Sequence, residues 1–182
     1  MSYNIYKNFL GAIVAGVFIG CGCIINAHVG GLIGAVLFAT GLVSIIAFKL
    51  PLFTGIVAEK FSLDFLSNAW VILIGNVLGC FIMNLLYNPI MPEVTLPYHS
   101  IFILSCGTGV LMVAAYKSKN YLIAIMGVTL FIMCGWFHCI AEAGYGRMSI
   151  CQWVMALSGN IIGGQIFRLL DLALDEDNKN DE

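Results

Sequence analysis

Six long apolar runs take up most of this chain, at roughly 9–26, 32–57, 66–87, 101–116, 121–143 and 150–170. A helix needs about 20 residues to cross the hydrocarbon of a bilayer. Inside it every backbone N–H and C=O must be paired within the protein, which leaves membrane helices as the structure such runs can form. Composition excludes the soluble alternative. Of 182 residues, 60% are hydrophobic and 10% charged, whereas a soluble domain has about 45–50% apolar and about 25% charged residues. A globule with so little charge could not cover its own surface. The first run is too long for the apolar part of a secretory leader, and no small-residue cleavage motif follows it, so it is expected to stay as a span.

The segments between the runs carry the polar residues: 28–31, 59–64, 88–100, 117–120 and 144–149. With the N-terminus inside, the inner side holds Lys7, Lys60, Lys117, Lys119, Arg168 and Lys179, and the outer side only Arg147. That bias predicts two cytoplasmic termini. Residues 1–171 read as one transmembrane domain. Residues 172–182 read as an acidic cytoplasmic tail that frays into water. No basic face suggests nucleic acid. All seven cysteines lie in apolar runs, and the C-x-C pair Cys21 and Cys23 has no second Cys/His pair beside it. They read as small hydrophobes rather than metal ligands or disulfides, and no metal or cofactor is expected.

The second run is too long for one straight crossing and contains Pro51 before Leu52, Phe53, Thr54 and Gly55. Proline removes a backbone donor and clashes with the preceding turn, so this helix is expected to break near mid-membrane. Such a break is tolerated only where it is buried in protein or lines a cavity.

An internal repeat extends this picture. Gly75-Asn76-Val77-Leu78-Gly79 in the third run resembles Gly159-Asn160-Ile161-Ile162-Gly163 in the sixth. Thr54 precedes Asn76 by 22 residues, and His138 precedes Asn160 by 22; Phe53 and Phe137 stand just before them. The spacing predicts two three-helix halves, about 8–90 and 100–171, in opposite orientations, with a site at the midplane on interrupted helices. It also predicts that Thr54 and His138 are structural counterparts facing one path. Gly75, Gly79, Gly159 and Gly163 should allow close helix contact. Asn76 and Asn160 should bond across helices or to backbone freed at the breaks.

With these residues in view, the chain resembles the formate–nitrite transporter family from about Phe9 to Leu170. The carriers are AGVFIG in the first run, LFTG at Leu52–Gly55, GNVLG and GNIIGG in the third and sixth runs, and G-x-x-H ending at His138. The resemblance implies an all-α, aquaporin-like protomer of six helices, the second and fifth broken. It further implies a homopentamer in the lipid of the cell's inner membrane, with one pore per protomer. The implied cargo is a small monovalent weak-acid anion, formate first, with nitrite, hydrosulfide, acetate or lactate as others. His138 would be the central pore histidine and Thr54 its partner. Leu52, Phe53 and Phe131 would form the hydrophobic constrictions.

The chain departs from the family pattern at several places. Pro51 and Phe137 stand where acidic residues are usual, and Val110 and Glu142 where asparagines are usual. No Lys or Arg occurs between Phe61 and Tyr116, where an outer lysine is usual, and the chain is about a hundred residues shorter than most members.

The chemistry expected of such a site is permeation, not an enzymatic reaction. A bare anion meets a large desolvation cost in hydrocarbon. A histidine can attract it as imidazolium or protonate it for a neutral crossing, and an ionisable side chain within a span is a functional candidate by default. Lys49 either snorkels to the surface or supplies positive charge near the pore. Glu142 lies one turn from His138. It raises that ring's proton affinity, repels anions, caps the broken helix, or pairs with Arg147. Two rival readings are a neutral-solute channel for urea, water or undissociated weak acid, and a non-conducting membrane scaffold or enzyme subunit. An aquaporin would carry two Asn-Pro-Ala motifs, and only Asn88-Pro89 occurs here.

Overall fold

The computed structural model describes residues 5–87 and 91–180, with side chains through Asp175; Asn88-Pro89 lies outside the described residues. Among these the chain is helical without a strand. The helices are α1 (Ile5–Val29), α2 (Gly31–Ala47), α3 (Phe53–Ile56), α4 (Leu63–Leu86), α5 (Tyr98–Ser118), α6 (Tyr121–Met133), α7 (Cys139–Tyr145) and α8 (Ile150–Asn180). Four stretches are long and apolar enough to cross a membrane: Ile5–Val29, Leu63–Leu86, Tyr98–Ser118 and Ile150–Asp175. The shorter apolar helices are α2 and α6. Leu, Ile, Trp and Phe side chains are widely exposed, among them Leu63, Trp70, Ile74, Ile103 and Leu122. That exposure is stable against lipid and untenable against water. Helix α8 runs past Leu170 to Asn180, further than the sequence reading placed its end. Its last segment has no Gly or Pro to stop it, and Leu172, Ala173, Leu174 and Glu176 are strong helix formers.

Helix α1 packs along α4, and α5 along α8, with α2 against α1 and α6. Glycines set how closely the long pairs approach. A Cβ on Gly79 would overlap the Ile13 carbonyl oxygen, and one on Gly163 the Cys106 carbonyl oxygen. Small residues at such crossings let backbones touch where lipid supplies no hydrophobic drive to associate.

Helix α2 ends at Ala47, and the chain is non-helical until Phe53, with Pro51 inside this stretch. Helix α6 ends at Met133, and α7 begins at Cys139. The two chain reversals repeat bond for bond. Phe48 N donates to Ser44 O, Lys49 N to Ile46 O and Leu50 N to Ile45 O; Cys134 N donates to Leu130 O, Gly135 N to Ile132 O and Trp136 N to Phe131 O. The second residue after each helix takes a positive φ, 53° at Lys49 and 67° at Gly135. Glycine is the usual residue there, and lysine accepts the left-handed conformation at a penalty.

The freed backbone groups of both reversals end on asparagines. Asn76 Oδ1 accepts from Phe53 N at 2.8 Å, and Asn76 Nδ2 donates to Ala12 O at 2.9 Å and Pro51 O at 3.1 Å. Asn160 Oδ1 accepts from Cys139 N at 2.8 Å, and its Nδ2 donates to Ser105 O at 2.8 Å and Phe137 O at 3.0 Å. Both side chains are fully buried, and a buried amide is tolerated only when its partners are all present.

These bonds correct one expectation. They match Pro51 with Phe137 and Phe53 with Cys139, both 86 residues apart. The counterpart of His138 is therefore Leu52, and Thr54 matches Ile140. The 22-residue spacing put Thr54 opposite His138, but the reversals align on backbone hydrogen bonds, which count from the helix start and not from the polar side chain. Leu52 and His138 are the N-cap residues of α3 and α7, with matching extended backbones.

Candidate functional site

The two short helices bring their first residues together in the interior. Thr54 lies in the first turn of α3, and His138 caps α7. Thr54 Oγ1 lies 2.7 Å from His138 Nε2, and both residues are fully buried. The other ring nitrogen is engaged as well: Ala141 N donates to His138 Nδ1 at 3.2 Å. An acceptor at Nδ1 carries no proton there. The neutral ring therefore holds its hydrogen on Nε2 and donates it to the Thr54 hydroxyl oxygen.

Aromatic rings surround the pair. Phe131 stacks on His138 at 5.8 Å between centroids, and Phe38 meets Phe131 edge to face at 6.1 Å. Phe38 also lies 6.4 Å from the ring of Tyr145, whose hydroxyl accepts from Asn26 Nδ2 at 2.7 Å. Leu52 is fully buried before Thr54. Phe53 lines an apolar cavity of about 70 Å³ with Leu73 of α4 and Leu157 of α8. Sequence reasoning missed Phe38, Tyr145 and Asn26. Asn26 alone offered a signal, as a polar side chain within an apolar run.

Glu142 is 3% exposed, and both of its oxygens are held by Arg147. Nη2 donates to Oε1 at 2.7 Å and Nε donates to Oε2 at 2.8 Å. The guanidinium also lies over the rings of Tyr145 at 5.1 Å and Phe137 at 5.9 Å. Of the four readings open for Glu142, this geometry selects the pairing with Arg147. Lys49 is exposed and lines a cleft of about 380 Å³ with Lys119, Tyr116 and Tyr121. Partial burial raises the carboxyl of Glu59, in the loop after α3, above its ordinary value. Among the described residues no group of three or more His, Cys, Asp or Glu could hold a metal ion.

No protein-family model matches the sequence, and none of the curated proteins does. Solved structures do. A pentameric formate channel with formate bound superimposes with a TM-score of 0.81, at 19% identity, over 94% of this chain and 97% of that one. The chain has the fold of the formate channels. An ion channel of the FNT family matches with a TM-score of 0.75, at 18% identity, over 94% of this chain and 91% of that one. The shared fold extends over nearly the whole chain. The LFTG and paired G-N motifs of the sequence resemble the same group of proteins.

Proposed function

We propose that this chain is a member of the formate–nitrite transporter family and conducts small monovalent weak-acid anions, formate first. In this reading α2 with α3 and α6 with α7 each make one interrupted crossing. Six crossings then form two inverted halves, the protomer assembles as a homopentamer in the inner membrane, and both termini are cytoplasmic. The observation that carries the reading is the buried Thr54–His138 pair at the meeting of two chain reversals. An apolar fold has little other reason to hold an ionisable ring there.

The geometry also supports a division of labour. With Nδ1 occupied by Ala141 N, His138 offers a hydrogen bond from Nε2 and no spare proton, since giving up that hydrogen would leave an imidazolate. An anion displacing the Thr54 hydroxyl accepts that bond. Proton donation needs the ring protonated on both nitrogens first, which requires the Ala141 cap to open. Passage as an anion solvated by His138 and Thr54 is therefore the primary route, and protonation the secondary one.

A second reading is favoured by one contact. Arg147, the sole cation expected on the outer side, is neutralised by Glu142. A mouth without net charge suits undissociated acid or another neutral solute. Flux into proteoliposomes of formate, nitrite, hydrosulfide, acetate and urea separates the two. The first reading expects anion flux that falls about tenfold to hundredfold in His138→Asn, the worth of one hydrogen bond to a charged group at about 1.5–3 kcal/mol. Passage of urea with every anion excluded would establish the second.

A further inference from the structure

The matched hydrogen bonds make the two halves comparable residue by residue, and they differ at a place beside the buried pair. Along α1 and α5 the matching residues are 93 apart, as Ala12 and Ser105 are where they receive the two asparagines. Cys23 on α1 therefore matches Tyr116 on α5, and Gly55 on α3 matches Ala141 on α7. In one half the small Cys23 thiol donates to Ala141 O at 3.3 Å. In the other, the Tyr116 ring lies directly against Gly55, so close that a Cβ there would overlap Cγ and both Cδ atoms of the ring. Gly55 follows Thr54 in the chain, so the ring packs against the residue next to Thr54.

Three further observations fit a closure with a function of its own. The Tyr116 hydroxyl donates to Leu50 O at 3.1 Å, tying the ring to the non-helical stretch before Leu52. Tyr116 borders two clefts of about 380 Å³ each, one lined by Lys49 and Tyr121, the other by Ile56 and Glu59, and both by Lys119. Tyr116 itself is only part-buried, and it lines both clefts. The matching position in the other half carries no ring at all.

We propose that Tyr116 is the stopper of the lysine-lined end of the path: held on Gly55 it closes Thr54 and His138 off from the two clefts, and swung away it joins them. This rests on the conduction reading above and adds a residue that sets access and size limit from one side. The hydroxyl tether to Leu50 O holds the closed position, and the missing side chain at Gly55 makes room for it. Gly55→Ala should displace the ring without removing it.

Two measurements test this. Accessibility is read with Thr54→Cys and a charged, membrane-impermeant thiol reagent, against the same protein without that substitution. Thr54 is fully buried, so the thiol introduced at position 54 should react slowly with Tyr116 present. It should react roughly tenfold faster or more in Tyr116→Ala and in Gly55→Ala, and less than that in Tyr116→Phe, which keeps the ring and loses the tether. Equal labelling with and without the ring, in folded protein of normal oligomeric size, overturns the proposal. This measurement needs no transport and stands even if no anion passes. Selectivity is read from formate and lactate flux into proteoliposomes: Tyr116→Ala should raise lactate relative to formate, while Tyr116→Phe leaves the ratio near that of the unmodified protein. An unchanged ratio in Tyr116→Ala also overturns it, whereas absence of any anion flux in the unmodified protein bears on the conduction reading alone.

Discussion

Thr54 and His138 share one 2.7 Å contact, and the two side chains have separable roles. The hydroxyl of Thr54 can be kept in Thr54→Ser and removed in Thr54→Ala. The serine variant should retain most formate flux, and the alanine variant should lose several-fold, about the 0.5–1.5 kcal/mol of an ordinary hydrogen bond. Similar behaviour of the two would show that the hydroxyl does not take part. Glu142 poses a different question, since its carboxylate is spent on Arg147 and not on His138. Glu142→Gln should leave the pH profile of uptake unchanged once corrected for protein amount. It should still lower thermal stability, because removing one partner of a buried ion pair costs about 3–5 kcal/mol. Replacing both residues by apolar ones of similar size should recover much of that loss. A shifted pH profile in the single variant would show that Glu142 reaches the histidine after all.

At the scale of the elements, the two asparagines hold the reversals in place. Asn76→Ala leaves Phe53 N and the carbonyls of Ala12 and Pro51 without these partners, and Asn160→Ala does the same to Cys139 N, Ser105 O and Phe137 O. Each orphaned buried group costs about 1–3 kcal/mol. Either variant should therefore unfold at distinctly lower temperature than the unmodified protein in the same detergent. Asn→Asp should not rescue them, because a carboxylate can accept from the amide but cannot donate to two carbonyls. Lys49 gives a prediction of the opposite sign. It holds a left-handed conformation where the matching residue is Gly135, so Lys49→Gly should stabilise slightly, by no more than about 1 kcal/mol. A loss of stability in that variant would mean that the lysine side chain does more than line its cleft.

For the molecule as a whole, the sequence was informative where physics leaves few options. Long apolar runs force helices, Pro51 forces a stop, and the G-N motifs mark where helices cross closely. Side-chain geometry around the site was much less legible. The 22-residue spacing aligned Thr54 with His138, whereas the backbone bonds align Leu52 with it, because a spacing between side chains does not reveal where a helix begins. Phe38 is an ordinary residue in an apolar run and Tyr145 sits in the short segment after one, and only tertiary packing brings them near His138. Tyr116 stood out only once the two halves could be compared bond by bond. The proposed topology makes its own prediction: reporter fusions at the two ends of the chain should fall on the same, cytoplasmic, side of the membrane. Opposite sides would rule out an even number of crossings.

The central claim is that a buried His138 lets a small anion cross. Purified protein in liposomes, loaded with a formate gradient and followed by initial rate, tests it most directly. The unmodified protein should pass formate far above empty liposomes, and His138→Asn, folded and of the same oligomeric size, should pass it about tenfold to hundredfold more slowly. Formate flux that is absent in the unmodified protein, or equal in the two, would contradict the account.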